Sequence, residues 1–297
     1  MAVGRVVLVG GILILLFIPY LLWGTGLQTA RSQSLLRHQF AVEQHRAGPV
    51  PKRQPAVPAK GVLVVPQLAP VIPEPAVGTA IGVITIPTIG VSMVVVEGTG
   101  EAQLQAGPGH YPGTPLPGHL GNAAIAGHRT TYLHPFYDLN ALMPGDPITV
   151  ETLQGIFLYH MTSSEAVLPT DVAVVGPTAT PQLTLTTCNP RYSASQRLVI
   201  HAVLVASILV HSPSVTGGTK GHPAPPLPAV SAAPGRSWPT AILWGLAVAG
   251  LITAIWIGAR RTRGGRRAGV LVVGLIAWLA VVFFFFTALA PLLPASF

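Results

Sequence analysis

Gln182-Leu183-Thr184-Leu185-Thr186-Thr187-Cys188-Asn189-Pro190 alternates apolar and polar side chains and then meets a proline. Alternation of period two marks a strand with one buried face, and proline ends ladder pairing because it has no amide proton. Cys188 therefore stands at a strand's end, facing a loop. Outward from it, short runs rich in β-branched residues recur at Gly82–Ile86, Val91–Val96, Asn122–Ala126, Ile148–Thr152, Ile156–Thr162 and Leu198–Ala206. Turns such as Met143-Pro144-Gly145-Asp146-Pro147 separate them. Strands at this spacing predict a mainly β domain, an antiparallel barrel or sandwich. Glu101–Ala106 and Tyr137–Leu142 read as short helices.

The rest of the chain is too apolar for a soluble domain alone. Mean hydropathy is +0.57 and only 9% of the 297 residues are charged, against roughly a quarter in ordinary globular proteins. The excess lies in three runs, Val6–Trp23, Trp238–Gly258 and Val270–Leu289, which predict three transmembrane helices. Eighteen helical residues rise about 27 Å, close to the hydrocarbon thickness. A cleaved signal peptide competes for the first run, but Gly24–Ala30 offers no clean small-x-small cleavage site. Arg260, Arg261, Arg263, Arg266 and Arg267 crowd between the second and third runs. Short Arg-rich loops stay cytoplasmic. The chain then reads as a cytoplasmic N-terminus at 1–5, an anchor at 6–24 and an extracytoplasmic Pro-rich linker at 25–76. The β domain follows at 77–207 and a second Pro-rich linker at 208–237. Spans at 238–258 and 270–290 flank a cytoplasmic loop at 259–269, and a tail ends the chain at 291–297. Eight prolines in 47–76 and seven in 211–239 mark the linkers as stalks.

The net charge of +8 is thus a topology signal and excludes a nucleic-acid reading, because Val77–Ala206 holds seven acids and three arginines. The chain has one cysteine, so no intrachain disulfide forms. A lone thiol in a β domain is either a small buried hydrophobe or a nucleophile. His128, after Asn122-Ala123-Ala124-Ile125-Ala126-Gly127, stands at a second strand end, and Arg197 opens the strand nine residues after Cys188. A nearby cation stabilises a thiolate, an imidazole moves protons, and a guanidinium steadies an oxyanion. His110, His119, His134, His160 and His201 share the domain, and spacing alone does not choose among them. Glu97, Glu101, Asp138 and Asp146 show no metal-ligand spacing, and nothing in the sequence asks for a cofactor.

Thr184-Leu185-Thr186-Thr187-Cys188, followed by Arg197 on the next strand, resembles the T-L-x-T-C motif of sortases. Ala126-Gly127-His128-Arg129-Thr130-Thr131, sixty residues upstream, resembles the family's histidine segment. Gly107–Thr114 and Thr187–Ser193 resemble class E sortases of high-GC Gram-positive bacteria. The resemblance covers residues 78–206. It implies a sortase-type eight-stranded β-barrel with Cys188 as nucleophile, His128 as acid and base, and Arg197 as the substrate and oxyanion clamp. It further implies an extracytoplasmic, membrane-anchored cysteine transpeptidase that cuts a Leu-Ala/Pro-x-Thr-Gly sorting signal between Thr and Gly. The partners implied are surface proteins bearing that signal, and a peptidoglycan precursor or other cell-wall amine. Tyr111 matches a tyrosine associated with acceptance of alanine in the signal. Thr187 is a candidate substrate-binding residue, or one that shapes the backbone beside Cys188.

The two C-terminal spans depart from the single anchor usual in the family. The inhibitory lid of pilus-building class C enzymes carries an Asp-Pro-aromatic motif, and no aspartate precedes residue 80 here. A papain-like hydrolase would place its cysteine before its histidine. An L,D-transpeptidase would show glycine before cysteine, where this chain has Thr187. A β domain on a stalk that merely binds a partner fits everything except the joint motif.

Overall fold

The computed structural model describes residues 2–47, 66–209, 238–262 and 265–289. The chain divides into two compact units. One holds α1 (Ala2–Pro19) with α4 (Trp238–Arg261) and α5 (Gly265–Leu289); the other holds α2 (Thr25–Ala47) with a β-barrel.

The barrel is built from β1 (Ala80–Ile86), β2 (Val91–Glu97), β3 (Gly109–His110), β4 (Asn122–Ala126), β5 (Pro147–Thr152), β6 (Gly155–Val167), β7 (Gln182–Asn189) and β8 (Gln196–Leu209), with α3 (Glu101–Ala106) between β2 and β3. The strands close in the order β1-β2-β3-β4-β7-β8-β6-β5. This is the expected eight-stranded barrel, but it is not purely antiparallel: β2–β3 and β4–β7 pair parallel. β3 spans two residues, too short to show a period in the sequence. The helix expected at Tyr137–Leu142 is a single 3-10 turn, Leu139–Ala141.

Inward-facing Ile84, Ile86, Ile125, Ile148, Leu183, Leu185 and Ile200 are fully buried, with Phe136, Phe157 and Tyr159 filling the remaining space. Each such side chain contributes about 1.5–3 kcal/mol of transfer free energy.

Two stretches expected to be free linker belong instead to the barrel. α2 lies along the open edge of β2. Gln33 Nε2 donates to Val94 O at 3.0 Å and to Ala106 O at 2.9 Å, while Gln33 Oε1 accepts the Val94 N–H at 2.8 Å. One amide side chain thus does what a neighbouring strand would do, and an edge that would template aggregation is covered. Arg37 continues the row by donating to Ser92 O. Leu36 is buried against Val94, Val96 and Ala106. A Cβ at Gly107 would collide with the Gln33 amide, so glycine is what permits this approach. Residues 66–79 also pack on the barrel, through Ala69 N–H to Gly118 O at 2.9 Å and Ser207 Oγ–H to Gln67 O at 2.7 Å. The rest of both expected linkers, and the tail at 291–297, lie outside the described residues.

Among the described residues two helices are long and apolar enough to cross a membrane, Trp238–Arg261 and Arg267–Leu289. These are two C-terminal candidates rather than the three spans expected. The first expected run forms α1 and a π-helical turn, Tyr20–Gly24, directly after Pro19. Within this unit Phe17 meets Phe286 edge-on at 4.9 Å, and Trp244 stacks on Phe284 at 5.2 Å. A Cβ at Gly274 would lie 2.7 Å from Ile255 Cγ1, so the hairpin closes on a small residue.

Candidate active site

The pairing of β4, β7 and β8 sets the site. β4 and β7 run parallel from Asn122↔Gln182 to Ala126↔Thr186. Two bonds carry that register past the strand end: Gly127 N–H donates to Thr186 O at 3.0 Å, and Thr187 Oγ1–H donates to Gly127 O at 2.8 Å. Continued two residues past the end of β4, the same offset sets His128 level with Cys188. On the other side β7 and β8 are antiparallel, with Cys188 directly opposite Arg197. His128, Cys188 and Arg197 therefore form a row across three strand positions. Leu183 and Leu185 point into the core, so Thr184, Thr186 and Cys188 occupy the outer face by alternation. Cys188 is a partly exposed free thiol.

Most competing histidines are engaged elsewhere. His110 pairs with Glu97 at 2.9 Å, His119 with Gln154 at 2.8 Å, and His201 with Glu165 at 3.1 Å. His134 packs on Tyr137. His128 has a ring neighbour, Tyr132, at 4.9 Å between centroids. Burial lowers the His128 imidazole to about 4. The side chain as a whole keeps partial exposure, so crowding of its ring, with no charge partner, sets that shift. At neutral pH the ring is neutral.

Arg197 donates to Ala194 O and Gln196 O, both at 3.2 Å. Among the described residues no carboxylate pairs with it. Its positive charge is therefore not offset by an ion pair.

A second guanidinium, which sequence reasoning passed over, holds the backbone of Cys188. Arg129 is buried and donates to Cys188 O at 3.0 Å, Asn189 Oδ1 at 2.7 Å and Asn140 Oδ1 at 2.9 Å. Burial, and then repulsion from Arg191, push it below its ordinary value, while Cys188 and Asp138 favour its charge. Arg191 binds Asp138 at 2.7 Å and lies over the Tyr137 ring at 4.1 Å. The turn after Cys188, which includes a cis Asn189–Pro190 bond, is thereby fixed to residues 137–140. The signal was visible, since Arg129 is one of only three arginines between Val77 and Ala206.

Thr187 faces inward, opposite to Cys188, is buried, and ties β7 to Gly127. Tyr111 shares a 2.9 Å hydrogen bond with Thr186 Oγ1. Thr186 is the outer-face residue one step before Cys188, about 7 Å along the strand. The segment carrying Tyr111 is anchored by the buried His110–Glu97 pair, with His110 Nε2 also 3.0 Å from Pro115 O.

The loop after His128 is held from two sides. Phe136 N–H donates to His128 O at 3.2 Å, and a Cβ at Gly127 would lie 2.6 Å from the Phe136 ring. Tyr132, Leu133 and His134 have positive φ of 53°, 61° and 36°, a run that costs about 1–3 kcal/mol per residue unless its surroundings enforce it. α2 supplies part of that enforcement: Thr25 Oγ1 accepts the Tyr132 N–H at 3.2 Å, and Leu133 packs over Gly26.

A closed barrel thus carries a thiol, an imidazole and a guanidinium at neighbouring strand ends, the groups that a cysteine acyl transfer needs. Residues 84–205 match the family model of the sortase domain. The chain belongs to the sortase family, whose members are cysteine transpeptidases. Sortase SrtE1 of Streptomyces coelicolor is 31% identical over 224 residues, 69% of this chain and 56% of that protein. Sortase D of Bacillus subtilis is 31% identical over 118 residues, 39% of this chain and 58% of that protein. The chain thus spans little more than half the length of these curated relatives. The solved structure of sortase E from Streptomyces avermitilis is 36% identical with a TM-score of 0.42, covering 46% of this chain and 95% of that one. Within the family, class E is the supported class.

Proposed function

We propose that the chain is a membrane-anchored class E sortase that joins sorting-signal proteins to a cell-wall amine. The observation that carries this is the row His128–Cys188–Arg197 across β4, β7 and β8. Cys188 attacks the threonine carbonyl of a Leu-Ala/Pro-x-Thr-Gly signal. Its thiol proton passes to His128 as the C–S bond forms, and Arg197 faces the oxyanion. Collapse breaks the Thr–Gly bond, and His128 gives the proton to the departing glycine amine. An incoming amine then attacks the thioacyl carbon, loses a proton to His128, and Cys188 leaves as thiolate and is reprotonated. His128, neutral at rest, is a base first and an acid second in each half-reaction.

Arg129 and Thr187 are positioning residues for Cys188. Tyr111, hydrogen-bonded to Thr186 on the face that carries Cys188, is the proposed contact for the signal's second residue. α1 with its π turn is the first of three spans, and the Arg-rich loop is cytoplasmic. That topology puts the barrel outside the cell, with surface proteins and a wall precursor as its substrates. Purified residues 25–209, given a Leu-Ala-x-Thr-Gly peptide and an amine, are expected to yield the Leu-Ala-x-Thr amide and a free glycyl tail by mass spectrometry. No cleavage of either the alanine or the proline signal, with amine supplied, refutes the reading.

A further inference from the structure

The unit made of α1, α4 and α5 carries charge of one sign. Residues 1–24 and 233–297 contain no aspartate or glutamate, while five arginines lie within the eight residues 260–267. No side chain of this unit can neutralise them, so their counter-ions come from elsewhere.

Two of the five are built into a cavity. Arg260, in the last turn of α4, and Arg267, near the start of α5, line one end of a space of about 730 Å³. Ile255, Trp256, Leu271 and Leu275 form much of its remaining wall. The Arg260 guanidinium lies over the Trp256 ring, 3.6 Å from its centroid, which holds the charge at the cavity instead of letting it swing free. From Arg267 to Leu275 the helix rises about 12 Å, close to the ~15 Å depth of one leaflet's hydrocarbon.

The two halves of the cavity ask for different chemistry. A purely apolar ligand leaves two guanidinium groups unmatched, and free phosphate leaves the long apolar wall unfilled. We infer that this cavity binds an anionic phospholipid, with the headgroup phosphate between Arg260 and Arg267 and an acyl chain along Leu271 and Leu275. Guanidinium donors suit phosphate oxygens in paired geometry, and the amino end of α5 adds a favourable dipole. The site rests on the reading of α4 and α5 as membrane spans.

The test uses the full chain in bilayer nanodiscs, with retained lipid read by native mass spectrometry after equal supply of phosphatidylglycerol and phosphatidylcholine. Phosphatidylcholine carries the same phosphate, but its choline cation cancels the headgroup charge, so two arginines at about 1 kcal/mol each predict a preference of roughly thirtyfold for phosphatidylglycerol. R260Q/R267Q is expected to abolish it. R261Q, which alters an arginine outside the cavity wall, is expected to keep it. Excess inorganic phosphate is expected to leave the lipid bound. Equal retention of the two lipids, a preference that survives R260Q/R267Q, or displacement by phosphate alone overturns the site. Flotation with vesicles separates the two readings: a chain that does not float fails as a membrane protein, and one that floats without lipid preference fails at the site alone.

Discussion

The hydroxyl of Thr25, at the first position of α2, accepts the backbone N–H of Tyr132, whose ring packs on His128. A helix expected to be linker thus braces the loop that carries His128, the proposed acid and base. The folded unit around the site is therefore larger than the barrel and includes residues 25–47 and 66–79.

Residues 25–209 are expected to turn over a sorting-signal peptide, and residues 66–209 to do so at least tenfold more slowly. Without α2 the loop's left-handed run at 132–134 loses one of its supports, and the edge of β2 opens. Parallel kcat and KM measurements on the two fragments check this. A rate unchanged by removing α2 contradicts the bracing role.

Gln33→Ala removes the side chain that pairs with both Val94 backbone groups. Leaving buried N–H and C=O groups unmatched costs about 1–3 kcal/mol each, less whatever water recovers. A loss of about 2 kcal/mol is expected by urea denaturation of residues 25–209, with Gln33→Glu no better because its carboxylate cannot donate.

Arg129→Lys is expected to lower kcat at least tenfold while changing KM little, because an ammonium cannot reach Cys188 O, Asn189 and Asn140 at once. Arg129→Ala is expected to destabilise the fold as well. The lysine variant, if stable, separates positioning of the thiol from mere folding. Its thiol alkylation rate against pH should differ from that of the parent.

The stability of residues 25–209 is expected to fall on acidification through His128. Its folded value is about 4 and its unfolded value 6.5. Between these the unfolded chain binds more protons, so stability drops as pH falls from 6.5 toward 4 and is unaffected above 6.5. The full shift corresponds to about 3 kcal/mol, and partial exposure of the side chain reduces this to about 1–2 kcal/mol. His128→Asn should flatten that part of the curve by the same amount.

How much of this was legible in the sequence depends on how locally each feature is encoded. Cys188 at a strand end follows from alternation before it and proline after it, both local. The parallel pairing of β4 with β7, which places His128 beside Cys188, is not local. Alternation fixes which face a residue takes and leaves the direction of the partner strand open. α2 went unseen because the residues that dock it, Thr29, Gln33, Leu36, Arg37 and Phe40, recur at helical spacing but are mostly polar. Their work is to satisfy backbone groups of β2, which a hydropathy pattern does not register. Arg129 was in plain view beside His128, yet only the fold shows that its guanidinium reaches the far side of the nucleophile.

The central claim, that Cys188 becomes acylated with help from His128, is tested most directly by intact-mass spectrometry. Residues 25–209 are mixed with a Leu-Ala-x-Thr-Gly peptide without amine and quenched in acid. A mass increase equal to the Leu-Ala-x-Thr acyl group, localised to Cys188, is expected. It should be absent in Cys188→Ala and nearly absent in His128→Asn. An adduct that forms equally well in His128→Asn, or peptide cleavage that persists in Cys188→Ala, contradicts it.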